Sequence, residues 1–164
     1  MKKLIVLVLA LVCALSLSAC DNIQQEHIAV FSFCGQNEQF AIYNGVVVLS
    51  DAEEVFDGGD LEVVQEELFS DIASYSTTFY TITNGEQRTV LSNSVVDMTG
   101  GSVNVSGNLG RVSGDNFLIG SKVKYEDELK NNLWFELKTV GLDGKENTYQ
   151  LQLSLTEITN NLTE

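Results

Sequence analysis

Apolar and polar residues alternate with a period of two along much of this chain, which is the pattern of β-strands that bury one face. The clearest case lies near the C-terminus, where three apolar residues share one face and three others share the opposite face: Leu133, Phe135 and Leu137, then Trp134, Glu136 and Lys138. After a turn at residues 141–144, Leu151, Leu153 and Leu155 alternate with polar residues. The pattern predicts a long hairpin with one apolar and one solvated face.

The first third of the domain predicts three more strands. Residues 28–33 are mostly β-branched, aromatic or small, and the turn formers Gly35 and Asn37 follow them. A second strand begins at Phe40. We expect Asn44-Gly45 to end it as a hairpin turn, because both central positions of a type I′ turn need positive φ. Residues 46–49 then return as a third strand.

Three further local signals lie between residues 51 and 91. Residues 57–60 read Asp-Gly-Gly-Asp, which predicts a turn joining two short strands. Residues 65–72 have the spacing of a single helical turn. Asn84-Gly85 predicts a hairpin between residues 75–83 and residues 86–91.

Together these segments predict an all-β fold: an antiparallel β-sandwich or a partly closed barrel of about 8–10 short strands. No long amphipathic helix and no alternation of strands with helices is present in the sequence. The chain contains no Pro, which often protects exposed strand edges. We therefore expect acidic side chains to protect these edges by repulsion.

The N-terminus has the features of an export signal. Lys2 and Lys3 supply positive charge, and residues 4–17 form an apolar run of about fourteen residues, shorter than the ~20 that span a bilayer as a helix. The pattern predicts a signal peptide that is absent from the mature protein.

The end of the signal and the residue after it read Leu17-Ser18-Ala19-Cys20. This segment resembles the lipobox of bacterial lipoproteins at all four positions. The resemblance implies that the Cys20 thiol receives a diacylglyceryl group and that the chain is cut between Ala19 and Cys20. Two or more acyl chains hold a protein stably at a membrane, whereas one chain does so only marginally. The alternative is an ordinary secreted protein with a chance Cys after Ala.

This reading divides the chain into four parts. We expect a lipoprotein signal peptide over residues 1–19, then the lipidated Cys and a polar tether over residues 20–26. The β-domain is expected over residues 27–158, and a frayed tail over residues 159–164.

One short segment inside the domain also resembles a known group. Residues 33–40 are similar to a strand–turn–strand pattern in small uncharacterised lipoproteins of Gram-positive bacteria. That pattern has an aromatic residue, any residue, Gly, Glu, Ser, two residues and Trp. Here Gln36 and Asn37 replace Glu and Ser, and Phe40 replaces Trp. The resemblance implies a compact β-rich extracytoplasmic module and no particular activity.

The charge of the chain restricts its partners. It has 23 acidic and 9 basic residues, and removal of Lys2 and Lys3 with the signal takes the net charge from −14 to −16. This balance argues against nucleic acid as a partner and against direct binding of anionic lipid headgroups. A solvated, self-repelling surface explains it, and a site for cations or for a basic partner is the alternative.

The cysteines give no internal disulfide. Cys13 leaves with the signal and Cys20 would be acylated, so Cys34 is the one thiol of the mature domain. We expect Cys34 to be a buried or half-buried filler. The alternative, a reactive nucleophile, lacks a Cys–His signature near the only histidine, His27.

Two places in the domain are candidate binding sites. Asp57 and Asp60 flank a Gly-Gly turn in the most acidic window and could hold calcium, although the spacing is not that of an EF-hand and plain hairpins also have this arrangement. Trp134 projects from the solvated face of its strand and could stack on a sugar ring. Alternatively, residues 126–132 cover it or it packs over Lys138.

From these features the sequence predicts a non-catalytic, membrane-anchored extracytoplasmic lipoprotein without a cofactor, whose β-domain binds a partner or has a structural role at the envelope. The bilayer would be reached through Cys20, and an envelope protein or glycan is the expected partner of the β-domain. A carbohydrate- or calcium-binding module is the first alternative. A hydrolase that uses two carboxylates is the second, since Asp and Glu are plentiful.

Overall fold

Two antiparallel β-sheets pack face to face in the computed structural model, which describes residues 28–50, 53–83, 85–115, 118 and 129–158. This arrangement confirms the predicted all-β class and is that of a β-sandwich. The buried apolar side chains of both sheets form one cluster between them.

The elements along the chain are β1 (Ala29–Gln36), β2 (Phe40–Leu49), β3 (Glu54–Asp57), β4 (Asp60–Val63), a 3₁₀ turn (Glu66–Phe69), β5 (Ile72–Thr83), β6 (Glu86–Val96), β7 (Gly107–Asn108), β8 (Arg111–Gly114), β9 (Leu133–Gly141), β10 (Glu146–Gln152) and β11 (Ser154–Glu157). The larger sheet has the order β11-β1-β2-β3-β8, and β4 and β7 extend it beside β2. The smaller sheet has the order β10-β9-β5-β6.

Several predicted local elements are confirmed. Asn37 closes the turn between β1 and β2, because its Oδ1 accepts hydrogen bonds from the backbone N–H groups of Gln39 and Phe40. Thr83 pairs with Glu86, as the predicted hairpin between β5 and β6 requires. The 3₁₀ turn lies within the segment predicted to be helical, and β9 and β10 form the predicted C-terminal hairpin.

Two predicted turns are wrong, because at both places residues with positive φ lie inside the sheet instead of reversing the chain. β2 continues through Asn44-Gly45 instead of turning back there. Residues 57–60 also do not form a hairpin turn, since β3 and β4 both pair with β2 in a single register, with Val46 opposite Asp57 and Tyr43 opposite Asp60. β2 and β3 are antiparallel neighbours, and just beyond their paired residues the Ser50 backbone N–H donates to the Glu53 carbonyl over 3.2 Å.

The two sites predicted as turns lie opposite each other and form a crease across the larger sheet. We refer to three segments together as the glycine-lined crease: Asn44-Gly45, Gly58-Gly59 and Leu109-Gly110. Asn44, Gly59 and Gly110 have φ values of 59°, 69° and 87°. The Gly58 N–H donates to the Gly110 carbonyl over 2.9 Å, and the Leu109 N–H donates to the Gly59 carbonyl over 2.8 Å. Asn and Gly therefore supply left-handed backbone within the sheet, where it bends neighbouring strands together.

Aromatic rings fill the space that the missing side chains leave. A Cβ on Gly45 would lie 2.1 Å from the ring of Phe33, and one on Gly58 would lie 2.9 Å from the ring of Phe79. Phe56 then joins the two rings across the sandwich, with its centroid 5.2 Å from that of Phe33 and 5.1 Å from that of Phe79. The crease thus allows the two sheets to meet through stacked and edge-on phenyl rings.

The C-terminal strand also differs from its prediction. The alternating leucines predict one strand, but β10 ends at Gln152 in the smaller sheet and β11 begins at Ser154 in the larger one. Leu153 makes the crossing. It is buried, and its N–H donates to the Leu133 carbonyl over 2.9 Å. The alternating leucines thus continue from β10 in one sheet into β11 in the other.

The crease predicts a difference between two glycines of similar conformation. Gly59→Ala should destabilise the domain by about 3 kcal/mol or more, because a Cβ there adds left-handed strain and lies 2.1 Å from the Tyr43 carbonyl oxygen. Gly144→Ala has nothing within 4 Å of its Cβ at φ +80° and should cost only about 1 kcal/mol. Urea unfolding of both variants measures the difference, and equal losses would contradict the crease.

Candidate functional site

The solvent side of the smaller sheet carries most of the candidate binding groups. In β9, Phe135 and Leu137 face the core, so Trp134, Glu136 and Lys138 face outward, as the alternation predicts. Pairing in register places polar residues of the neighbouring strands beside them. We refer to these outward-facing residues together as the outer face: Ser74, Ser76, Thr78, Tyr80, Ser92, Ser94, Trp134, Glu136, Lys138, Thr148, Gln150 and Gln152.

Trp134 lies at one end of the outer face between two neighbours in register. Tyr80 is opposite it on β5, and Gln152 is opposite it on β10. The Trp134 side chain is half-buried, while Tyr80 is only 3% exposed, and burial and the charge of Glu136 raise the pKa of Tyr80. Gln152 donates through Nε2 to the Asn131 carbonyl over 2.7 Å. Trp134 is therefore a partly exposed ring in a tightly packed surrounding.

Glu136 lies at the centre of the outer face and is held from both sides. Gln150 donates through Nε2 to its Oε2 over 2.9 Å, and Lys138 Nζ lies 3.0 Å from its Oε1. The Glu136 side chain is 14% exposed. Burial raises the pKa of Glu136, but the hydrogen bonds from Gln150 and Lys138 and the charge of Lys138 together lower it below its ordinary value. The carboxylate is therefore ionised and fixed in place.

A shallow depression of about 280 Å³ lies at the other end of the outer face. Its floor carries small hydroxyl side chains, among them Ser74, Ser76 and Ser94. Val96 and Val140 add apolar surface to its lining. Lys138 and Glu146 also line it. Hydroxyl groups both donate and accept hydrogen bonds, so the depression can bind a polar ligand.

The two aspartates predicted to bind calcium lie at the crease in the larger sheet. Asp57 Oδ1 accepts the Gly59 N–H over 3.0 Å. The two oxygens of Asp60 accept from the side-chain amides of Asn44 and Asn108, over 3.2 and 3.3 Å. The described residues contain no group of three or more His, Cys, Asp or Glu that could hold a metal ion. These aspartates stabilise the crease, and calcium binding stays a prediction.

The sequence analysis missed one buried carboxylate. Glu54 is 6% exposed at the start of β3, facing the same side as the buried Phe56. Its Oε2 accepts the Leu118 N–H over 2.7 Å, so it holds the backbone of Leu118 in place. Glu54 lies in a strongly acidic window, and nothing in the local pattern distinguishes it from its solvated neighbours.

The cysteines fall into two groups. Cys34 is exposed, so the prediction of a buried or half-buried filler is wrong. Cys34 follows the inward-facing Phe33, so the alternation of β1 directs its side chain outward, and it lies at the register shift between Phe33 and Gly35. Ala19, Cys20 and His27 lie outside the described residues, and the proposed tail and signal do too. No helix among the described residues is long and apolar enough to cross a membrane.

Comparison of the chain with protein-family models, with curated proteins and with solved structures gives no match.

Glu136 makes stability depend on pH in a predictable direction. Because the pKa of Glu136 is lowered in the folded protein, its carboxylate stabilises the fold above its ordinary pKa of 4.5, and this contribution is lost as the pH falls below that value. Glu136→Gln should therefore flatten the acid side of the stability curve. Thermal melts across this pH range measure the effect. The exposed Glu146→Gln on the same sheet is the control, and equal flattening by both would contradict the assignment.

Proposed function

We propose that this protein is a lipid-anchored lipoprotein of the outer side of the bacterial cell membrane, with a non-catalytic β-sandwich that binds an envelope component. The lipobox match at Leu17-Ser18-Ala19-Cys20 is the observation that carries the proposal. Acylation of Cys20 would leave only Cys34 as a thiol, and the domain has an apolar core large enough to need no disulfide.

The buried carboxylate Glu54 and the half-buried carboxylate Glu136 support a non-catalytic role. A carboxylate-dependent hydrolase needs one acid and one base facing the same bond. Glu54 faces inward from the larger sheet, whereas Glu136 faces outward from the smaller one. Each also accepts a hydrogen bond, Glu54 from the Leu118 N–H and Glu136 from the Gln150 side chain. Their positions suit stabilising roles rather than a shared cleft.

The outer face supports a glycan as the more specific ligand. A sugar ring presents C–H groups on its faces and hydroxyl groups at its rim, so it needs an aromatic surface with polar neighbours. Trp134 with Tyr80 and Gln152 supplies this combination at one end, and the hydroxyl-lined depression extends it. The face holds one fixed carboxylate and one cation at its centre, Glu136 and Lys138, which compensate each other's charge.

The anchor is tested by Cys20→Ser. Without the thiol no diacylglyceryl group can be attached, so we expect an unprocessed precursor or release into the medium. Cell fractionation and the mass of the N-terminal peptide measure this. Cys34→Ser is the matched control and should leave processing and fractionation unchanged. A processed, membrane-bound Cys20→Ser product would overturn the anchor.

The glycan ligand is tested with insoluble peptidoglycan as the probe. The full chain should co-sediment with it, and Trp134→Ala should weaken binding about fivefold to tenfold, since an aromatic contact contributes about 1 kcal/mol. Tyr43→Ala, which removes a 40% exposed aromatic residue from the other sheet, should leave binding unchanged. Equal loss in both variants, or no binding of the unaltered chain, would exclude this ligand without affecting the anchor.

A further inference from the structure

β6 forms one edge of the smaller sheet and is open to solvent along most of its length. It has 11 residues, and only β5 pairs with it among the strands that the structure describes. Most of its residues are exposed, and only Val90 and Leu91 are half-buried. An edge strand of this length presents a row of backbone donors and acceptors on which another strand can pair.

The expected acidic protection is absent from this edge. Glu86 and Arg88 lie in the first three residues of β6 and Asp97 follows its end, but residues 89–96 carry no charge at all. The chain as a whole has a net charge of −14. Two copies therefore repel each other over most approaches, and the repulsion is smallest where their β6 strands meet.

The sequence of β6 is nearly symmetric about Asn93. Read outward from it, each direction gives a serine and then apolar residues: Val90-Leu91-Ser92-Asn93-Ser94-Val95-Val96. In an antiparallel pair with a two-fold axis at Asn93, Leu91 of one copy lies opposite Val95 of the other, and Ser92 lies opposite Ser94. Such a register matches apolar residues with apolar ones and hydroxyls with hydroxyls.

The observed side-chain directions fit this register. Residues directly opposite each other in a sheet point to the same face. Leu91 and Val95 pair on β5 with the inward-facing Phe79 and Tyr75, so both face inward. Ser92 and Ser94 belong to the outer face defined above. The Asn93 side chain donates to the Leu109 carbonyl of its own chain. The Asp97 N–H donates to the Ala73 carbonyl, so by alternation Asn93 bonds to β5 and the backbone groups of Ser92 and Ser94 point to the open edge, where they can pair with those of a second copy.

We propose that two copies of this chain pair through β6 about a two-fold axis at Asn93, joining their smaller sheets into one eight-stranded sheet. The symmetry of the strand and its lack of charge favour a second copy as the partner. Binding of an unrelated peptide would require neither feature. Pairing also removes from water part of the apolar surface of Val95 and Val96, which are 40% and 59% exposed. Isologous pairing of this kind gives a closed dimer.

The mass of the full chain in detergent tests the pairing. Light scattering corrected for detergent should give a dimer for the unaltered chain. Ser94→Glu should shift it to a monomer, because it places two carboxylates close to the axis. Thr148→Glu introduces the same charge on the exposed face of the opposite edge strand, β10, and should leave the dimer intact. A monomeric unaltered chain, or equal shifts in both variants, would overturn the proposal.

A cross-link tests the register separately. Asn93→Cys in a Cys34→Ser background places two thiols at the axis, where opposite Cα atoms lie about 4.5–5.5 Å apart, within the range of a disulfide. Mild oxidation in membranes should give a reducible dimer on a gel. Thr148→Cys in the same background should give none. Equal cross-linking of both variants would indicate random collision, and no cross-link at Asn93 would exclude this register.

Discussion

The structure depends on close contact between backbone without side chains and large aromatic rings. Phe33 lies where a side chain on Gly45 would be, and Phe79 lies against Gly58. The crease lets three segments of the chain bend along one line, and the phenyl cluster fills the space at the bend. Because dense packing leaves no room to adjust, the crease and the cluster specify each other. The candidate calcium ligands belong to this constraint, since Asp57 accepts a hydrogen bond from the Gly59 backbone and Asp60 accepts one from the Asn44 side chain.

Much of the fold could be predicted because side-chain alternation records which face of a strand is buried. It identified β9 and β10 and separated Trp134 and Glu136 from the core residues beside them. The same signal could not place turns reliably. Asn44-Gly45 favours positive φ, and a hairpin turn and a bend inside a sheet use that conformation equally well. Only the pairing of β2 with both β3 and β4 distinguishes them.

The candidate site could be predicted only in part, for a related reason. Trp134 was identifiable because it is a large aromatic residue on a polar face. Its neighbour Tyr80 was not, because the two residues are 54 positions apart and meet only through strand register. Glu54 and Glu136 are similarly indistinguishable from the other acidic residues by type. Their burial and hydrogen bonds depend on segments distant in the sequence.

The crossing of the chain at Leu153 has a mechanical consequence. It carries β11 into the larger sheet, where β11 pairs with β1 on the side opposite β2. β1 is therefore an inner strand although it is the first of the described strands. A pull on its N-terminal end acts along the strand and must shear the hydrogen bonds to both neighbours together. Such loading resists extraction far more strongly than the peeling of an edge strand, in which the bonds break one after another.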